Sequence, residues 1–186
     1  DYTFNFFNPY ALRYIIEKNV KRVCLSPELN LKQIAKFPDL SKAELIVHGD
    51  LVVMTSEYCM LSGVLSEGEK PCRERICRRD NYYIQDDKGF SFPIVTDANC
   101  RFYVLNSRTL CMIEDLYKLI KLKPYALRIE AHRLRGEELT KTITIYRQAL
   151  DQINNNLKPE LLEYKKQLGN ISSSSFTKGH YYRGVL

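Results

Sequence analysis

Apolar residues in the first 54 positions of the chain occur partly in short runs and partly at helical spacing. The short runs, typical of strands, are residues 2–7, 22–25, 44–47 and 51–54. Two segments with helical spacing lie between them, residues 10–18 and 30–37. Asn30 suits the N-cap of the second helix, and Pro38 ends it. Strands that alternate with helices of about ten residues predict parallel strands joined by right-handed crossovers.

The second half of the chain continues this alternation. The predicted strands are residues 82–85, 90–95, 102–105 and 126–129, and the predicted helices are residues 109–122 and 137–153. Asp86-Asp87-Lys88-Gly89 predicts a hairpin between the first two of these strands. Residues 154–175, rich in asparagine and serine, are expected to form a loop or linker before a strand-like tail at 176–186. We therefore predict an α/β fold: a partial (β/α) TIM-like barrel over residues 1–153 that carries a cysteine-rich insert at 55–100.

Composition limits the class of protein. The chain has 186 residues, 45% hydrophobic and 27% charged, as expected for a domain with one sizeable core. No apolar run approaches the ~20 residues of a membrane span, and no signal peptide is visible. The first residue is Asp1 and a predicted strand follows at once, so we expect a piece of a longer protein. The net charge of +6 permits an anionic partner such as RNA without requiring one.

Four of the six cysteines, Cys59, Cys72, Cys77 and Cys100, lie in the insert, with 12, 4 and 22 residues between them. Without a secretory signal, a reducing compartment such as the cytoplasm is expected, which favours metal ligands or buried thiols over disulfides. Thiolates suit zinc and iron–sulfur clusters. One close pair with two distant cysteines fits a cluster held across loops at least as well as a zinc ribbon. Unrelated thiols remain the alternative.

Arginines surround the close cysteine pair: Arg73, Arg75, Arg78 and Arg79. Cations stabilise thiolates and the negative charge of a cluster, although a solvated basic face would have the same spacing. Cys24 and Cys111 lie in an apolar strand and beside an apolar helical stripe, so both are expected to be buried structural thiols.

Polar residues gather at or just after the predicted strand ends. They are Asn5, Asn8, Glu28, His48, Arg128, Glu130 and His132. The carboxyl ends of parallel strands face the ligand site in α/β folds, so these residues predict a polar pocket. Each one taken singly is also explained as a satisfied loop group.

Several motifs together resemble one known family. Glu44 and Gly49 match the motif Glu-x-Phe-x-x-Gly, with Ile46 in place of the Phe and His48 in the frequent His-Gly pair, and Cys59 matches the second cysteine that follows. Val52 stands at the position of the first cysteine and Glu57 at a glycine position. The similarity continues through Cys72, Cys77, Asp86, Gly89, Phe92, Pro93 and the segments CRFYVLNSRTL, RIE, YRQAL and FTKGHYYRG. In this combination the chain resembles the collagenase-like peptidase family, peptidase family U32.

The resemblance implies the C-terminal half of a barrel-like domain and an iron–sulfur function. Related members are oxygen-independent hydroxylases with a [4Fe–4S] cluster on four cysteines; some modify a tRNA or rRNA base with prephenate as oxygen donor, and others hydroxylate a quinone precursor. Carried over, Cys59, Cys72 and Cys77 are cluster ligands. Because Val52 replaces the first cysteine, we assign Cys100 as the fourth ligand, with Cys111 and Cys24 as reserves and zinc as the alternative metal.

Other functions remain open beside the hydroxylase. The family label implies a hydrolase that acts on peptides, which would need a metal-activated water at His48 with Glu57 or Glu130. For either activity, substrate-binding residues are expected at Asn5, Glu28, Arg128 and His132. The third alternative is an inactive fragment, or a subunit that needs a partner or the missing half of the barrel.

Overall fold

The computed structural model describes residues 1–65 and 75–184, which form two compact units. The discontinuous unit comprises residues 1–49 and 109–186, and the cysteine unit comprises residues 50–108. The strands are β1 (Val23–Cys24), β2 (Ala43–Gly49), β3 (Val52–Ser56), β4 (Tyr82–Gln85), β5 (Ser91–Thr96), β6 (Phe102–Leu105), β7 (Thr109–Cys111), β8 (Ala126–Glu130) and β9 (Phe176–Thr177). The α-helices are α1 (Pro9–Glu17), α2 (Leu31–Ile34), α3 (Met60–Leu65), α4 (Leu116–Lys121), α5 (Gly136–Asn154), α6 (Leu161–Ile171) and α7 (His180–Arg183).

Strand β2 is the centre of the sheet in the discontinuous unit. It pairs in parallel with β1 and with β8, and antiparallel with β7, which in turn pairs in parallel with β9. Ahead of β1, Phe6 forms a parallel bridge to Leu25. Phe6, β1, β2 and β8 are therefore parallel neighbours in chain order, as the predicted β-α-β-α-β alternation requires. The register of β2 against β8 shifts between Ile46 and His48, which places a bulge at Val47.

The predicted N-cap of α2 is confirmed, and α1 begins one residue before the predicted start, with a cap that the sequence analysis did not assign. Asn8 caps α1 by accepting a hydrogen bond from the Ala11 N–H, and Pro9 begins the helix. Asn30 and Gln33 form a capping box at α2, in which each side chain accepts from the other residue's backbone N–H at 2.9 Å.

Four predicted elements are wrong in whole or in part, and nonlocal packing explains the clearest case. In the strand-like tail expected at 176–186, only Phe176–Thr177 is a strand, and His180–Arg183 is the helix α7. Residues 2–7 are not a strand: Tyr2–Phe4 is a 3-10 turn that Asn5 ends in a left-handed conformation. The helix predicted at 109–122 is instead β7, a 3-10 turn at Ile113–Asp115 and α4, because residues 109–111 pair with β2 and are buried. Residues 154–175 contain α6, whose Leu168 is fully buried despite the polar composition around it.

The cysteine unit is built on an antiparallel sheet in the order β3-β6-β5-β4. The predicted hairpin is confirmed: β4 and β5 are antiparallel, with Tyr82 opposite Ile94 at one end and Gln85 opposite Ser91 next to the turn. One face of the sheet carries the core of the unit, Phe102 and Val104 with Leu61 of α3. Alternation along the strands puts Tyr82, Ile84, Phe92 and Ile94 against the same core.

The architecture is therefore mixed α/β. Across the described residues, neither sheet closes into a barrel. In the same part of the chain, no helix is long and apolar enough to cross a membrane.

Candidate functional site: a cavity lined by cysteines

Three of the four predicted cysteine ligands line one cavity of about 160 Å³ in the cysteine unit. Cys59 precedes α3, Cys77 lies in a 3-10 turn at Ile76–Arg78, and Cys100 lies in the loop between β5 and β6. The sheet places them together, because Cys59 and Cys77 both pack against the core of Leu61, Phe102 and Val104. Residues 41 positions apart in the sequence thus contribute thiols to one concave surface.

Arginines share this cavity. Arg75 and Arg78 are among its lining residues, with Ser62 and Asp97. Arg75 has a left-handed backbone (φ 47°) and precedes the 3-10 turn that carries Cys77. Guanidinium groups offer paired donors to carboxylate or phosphate oxygens, so the cavity has binding groups for an anion.

Cys100 has a distinct local setting. It is exposed, and its φ of 60° is in the left-handed region, which few residues other than glycine or asparagine occupy. The Asp97 carboxylate holds this loop by accepting hydrogen bonds from the backbone of Asn99 and Arg101, both at 2.9 Å. Desolvation opposes ionisation of Asp97, but these two hydrogen bonds and one from Tyr103 keep the pKa of the carboxyl below its usual value.

The chemistry of these residues fits a thiolate-bound group. Three thiols at one cavity are the donor type that zinc and iron–sulfur clusters use. Within residues 1–65 and 75–184, however, no three His, Cys, Asp or Glu side chains form a group that could hold a metal ion. The fourth predicted ligand, Cys72, lies outside the described residues, as does Arg73. The complete ligand set therefore stays a prediction.

The two reserve cysteines belong to the discontinuous unit and are buried thiols. Cys24 is 2% exposed, and burial raises its pKa to about 11. Cys111 is equally buried, with its Sγ 3.8 Å from the Tyr146 hydroxyl, and desolvation raises its pKa as well. A raised thiol pKa lowers the thiolate fraction, so both suit packing better than metal binding or catalysis.

A charged cluster lies at the end of β8 in the discontinuous unit. Glu130, 4% exposed, pairs through its Oε1 with His132 Nε2 at 2.6 Å. Its Oε2 lies 3.0 Å from Arg128 Nη2 without the alignment of a hydrogen bond. Arg128 also contacts Asp1 at 3.0 Å and Glu44 at 3.9 Å. The structure thus brings together three residues that the strand-end pattern nominated.

Glu44 is a member of this cluster that the strand-end pattern missed. It lies at the beginning of β2, where it pairs with Arg22 at 2.8 Å. The available signal was alternation: Glu44 interrupts an otherwise apolar strand, and a charge in a buried strand needs a partner on the same face.

The other nominated residues are placed elsewhere. His48 lies inside β2, 2% exposed, against the rings of Tyr146 and Phe176, with its Nδ1 3.4 Å from the Tyr146 hydroxyl. His48 is opposite Ile129 and Gly49 is opposite Glu130 in the register, so His48 and Glu130 project from opposite faces of the sheet.

Glu57, Glu28 and Asn5 have local roles. Glu57 belongs to the cysteine unit, where its exposed carboxylate pairs with Arg101 Nε at 2.7 Å. Glu28 is exposed in the turn after Ser26, and Asn5 ends the first 3-10 turn.

An α/β protein that carries a thiol-lined cavity on a separate antiparallel sheet is the class that these features define. The sequence profile of peptidase family U32 matches residues 2–185, and the chain belongs to this family. It is 31% identical over 178 residues to an uncharacterized protease (MJ0090) of Methanocaldococcus jannaschii, a match that covers 90% of this chain and 43% of the relative. It is 24% identical over 148 residues to the tRNA hydroxylation protein P2 of Bacillus subtilis, a match that covers 77% and 48%.

The chain therefore spans less than half the length of each of these relatives. No solved structure matches it significantly.

Proposed function

We propose that this chain is part of an iron–sulfur-dependent, oxygen-independent hydroxylase of an RNA base. The observation that supports this most is the convergence of Cys59, Cys77 and Cys100 on one cavity that also contains Arg75 and Arg78. Purely structural thiols would be expected to be fully buried, as Cys24 and Cys111 are, whereas Cys59, Cys77 and Cys100 are partly or fully exposed.

The proposed ligand set is Cys59, Cys72, Cys77 and Cys100. When bound, a [4Fe–4S] cluster would supply one-electron transfer at this cavity. The reaction balances with an organic hydroxyl donor, of which prephenate is the type: the base exchanges a C–H hydrogen for hydroxyl and is oxidised by two electrons. The donor loses that hydroxyl, gains hydrogen and is reduced by two electrons.

Arginine side chains are the proposed binding groups for the acidic donor. Arg75 and Arg78 line the cavity, and a guanidinium group matches a carboxylate through two parallel hydrogen bonds. In the discontinuous unit, Arg128 and His132 are proposed to bind substrate, each held in place by Glu130. Asn5 and Glu28 remain proposed substrate-binding residues, and the proposal for these two rests only on their positions at predicted strand ends.

RNA is the proposed second substrate. The relative from Bacillus subtilis is described as a tRNA hydroxylation protein, which is compatible with a tRNA or rRNA partner for this chain. The net charge of +6 also suits a polyanion.

A barrel completed by a longer chain or a partner subunit is the finer proposal for the fold. The parallel neighbours Phe6, β1, β2 and β8 follow one another in chain order, which is the order of adjacent strands in a (β/α) barrel. Further strands would extend this set, and the activity of the chain would then depend on them.

A metal-dependent peptidase is the second candidate, since a relative that is 31% identical is described as an uncharacterized protease. That function would place a metal-activated water at His48 with Glu57 or Glu130. The geometry offers little support, because His48 and Glu130 project from opposite faces of the sheet and His48 is buried against Tyr146.

The deciding experiment is anaerobic purification of the longest natural chain that contains this segment, followed by an absorption spectrum and assays of iron, sulfide and zinc. We expect a brown protein with about four irons for each chain. Cys59→Ser should lose the colour, whereas the matched control Cys111→Ser should keep it. A protein that contains zinc and no sulfide would show that the site binds zinc and not a cluster. A metal-free protein would contradict the proposal.

A second experiment tests the substrate. Nucleosides from tRNA and rRNA of a deletion strain are compared by mass spectrometry with those of the parent strain. We expect a hydroxylated nucleoside to disappear and to return with the wild-type gene but not with Cys59→Ser. An unchanged nucleoside profile would contradict RNA as the substrate.

A further inference from the structure

Two hairpin loops of the cysteine unit have the same backbone design. One joins β4 to β5 over residues 86–90 (DDKGF), and the other joins β5 to β6 over residues 97–101 (DANCR). Each begins with an aspartate whose N–H donates to the backbone oxygen of the fifth residue at 3.1 Å. In each, the N–H of the fourth residue donates to the aspartate's backbone oxygen, at 3.0 Å for Gly89 and 3.2 Å for Cys100.

The aspartate side chains make the same hydrogen bonds in both loops. Asp86 Oδ1 accepts from the N–H groups of Lys88 at 3.0 Å and Phe90 at 2.9 Å. Asp97 Oδ1 accepts from the N–H groups of Asn99 and Arg101, both at 2.9 Å. The two loops are thus a natural internal comparison.

The loops differ at the fourth position. This position is left-handed in both, with φ 81° at Gly89 and φ 60° at Cys100. Glycine adopts this conformation without a steric penalty, whereas a side chain with a Cβ does so at a cost. The loop that borders the cavity therefore has Cys100 at a left-handed position, where the equivalent loop has Gly89, the residue type that adopts this conformation most easily.

The Cys100 loop also has restraints that join it to the other side of the cavity. The second carboxylate oxygen of Asp97 accepts from the Tyr103 hydroxyl at 3.0 Å, which fixes the loop to β6. Arg101, which follows Cys100, pairs with Glu57 at 2.7 Å, two residues before Cys59. These contacts hold the segments that carry Cys100 and Cys59 against each other.

We propose that Asp97 is a positioning residue that presents the Cys100 thiol to the cysteine cavity, with Arg101 and Glu57 as the tie to Cys59. The inference rests on the proposed function and deepens it, since it assigns a role to residues that bind no metal themselves. The Cys100 thiol is then positioned at the cavity by the Asp97 carboxylate at the start of the same loop, and not by a regular helix or strand.

The test uses Cd²⁺ as a probe, because it binds thiolates and its charge-transfer absorbance reports the bond directly. Titrations are made on metal-free, reduced protein. We expect Asp97→Ala to weaken Cd²⁺ binding about tenfold or more, the size of effect that residues supporting metal ligands have. Asp97→Asn keeps an oxygen acceptor for the loop and should restore most of the affinity. Asp86→Ala removes the same loop hydrogen bonds from the other hairpin and should leave Cd²⁺ affinity unchanged.

A second variant guards against a simple folding defect. Cys100→Gly relieves the left-handed position, so the protein should be at least as stable as wild type and yet bind Cd²⁺ more weakly. Equal losses in Asp97→Ala and Asp86→Ala would overturn the proposal, as would full Cd²⁺ affinity in Asp97→Ala or Cys100→Gly. The proposed cluster is tested separately: absence of iron from the anaerobic protein would overturn the hydroxylase, while the Cd²⁺ comparison would still decide the role of Asp97.

Discussion

The buried carboxylate of Asp115 pairs with the ammonium group of Lys178 at 2.8 Å, which joins the segment after β9 to the 3-10 turn before α4. Lys118 pairs with the other carboxylate oxygen at 2.7 Å, and the Tyr182 hydroxyl donates to that same oxygen. One aspartate thus anchors the C-terminal segment of the discontinuous unit through Lys178 and Tyr182, with Lys118 of α4 beside them.

This anchor predicts acid sensitivity. Desolvation raises the pKa of Asp115, but the hydrogen bonds from Lys118 and Tyr182 and the ion pair with Lys178 outweigh it, so the pKa lies below its usual value. A carboxyl with a depressed folded-state pKa stabilises the fold above its unfolded pKa, and this stabilisation is lost as the pH falls through the folded value. The free energy of unfolding of wild type, measured in urea, should therefore fall steadily below about pH 4.

In Asp115→Asn we expect a loss of about 2 kcal/mol at neutral pH and a flatter acid dependence. Asp151→Asn is the control, because the exposed pair of Asp151 with Arg147, at 3.5 Å, is worth little. Identical acid profiles for Asp115→Asn and wild type would contradict the role of Asp115.

Removing the Tyr146 hydroxyl should destabilise the protein. Tyr146 is buried and donates to the Val47 backbone oxygen at 3.0 Å, at the bulge of β2. That oxygen also accepts from the Met112 N–H at 2.9 Å, so Tyr146→Phe leaves it partly satisfied and should cost about 1 kcal/mol. Chemical denaturation measures the loss, with the exposed Tyr10→Phe expected to have no effect. Equal stabilities for the two variants would argue against this hydrogen bond.

Two glycines should respond in opposite directions to alanine. A Cβ at Gly49 would lie 2.0 Å from the Glu130 backbone oxygen, at φ 123°, so Gly49→Ala should lose about 3 kcal/mol or more. Gly169 lies inside α6, where an alanine Cβ would lie 4.0 Å from its nearest neighbour, an atom of the Phe176 ring. Gly169→Ala should therefore gain about 0.5–1 kcal/mol from helix propensity. The thermal unfolding midpoint should be lower than that of wild type in Gly49→Ala and higher in Gly169→Ala. A lower midpoint in both variants would contradict the expectation for Gly169.

The cysteines should divide into two classes by reactivity. In native, reduced protein, a thiol-alkylating reagent at about pH 7.5 should modify Cys59, Cys77 and Cys100, because these thiols are partly or fully exposed. Cys24 and Cys111 should react only after unfolding, because both are buried and their thiol pKa values are raised. Peptide mass spectrometry over time distinguishes the sites. Early modification of Cys111 would show that its burial is not maintained in solution.

Local signals in the sequence predicted local structure. Asp86 to Gly89 predicted a hairpin because the turn chemistry is contained in four residues. The stripe of Leu110, Ile113 and Leu116 predicted one long helix, whereas residues 109–111 form a strand on β2, a partner more than 60 positions earlier. Helical spacing cannot reveal such a partner, because the pairing is decided by the sheet.

In the candidate site, too, the sequence predicted some residues and missed those that depend on the folded backbone. Thiol chemistry and a resemblance to the family nominated Cys59, Cys77 and Cys100, and the cavity brings these three together. The supporting residues were missed: Asp97 and Arg101 act through a loop whose equivalence to the β4–β5 loop is visible only in the backbone. His48 was nominated as a strand-end residue, but the bulge at Val47 continues β2 through it and turns it toward Tyr146.

The division of the chain into a continuous and a discontinuous unit bears on the order of folding during synthesis. All of residues 50–108 leave the ribosome before β7, β8 and β9 exist, so the cysteine unit has its complete sheet while β2 still lacks most of its partners. Limited proteolysis of ribosome-bound chains of increasing length should therefore find residues 50–108 protected before residues 1–49. A nascent chain that folds in this order has its thiol cavity assembled before the α/β sheet of the discontinuous unit is finished.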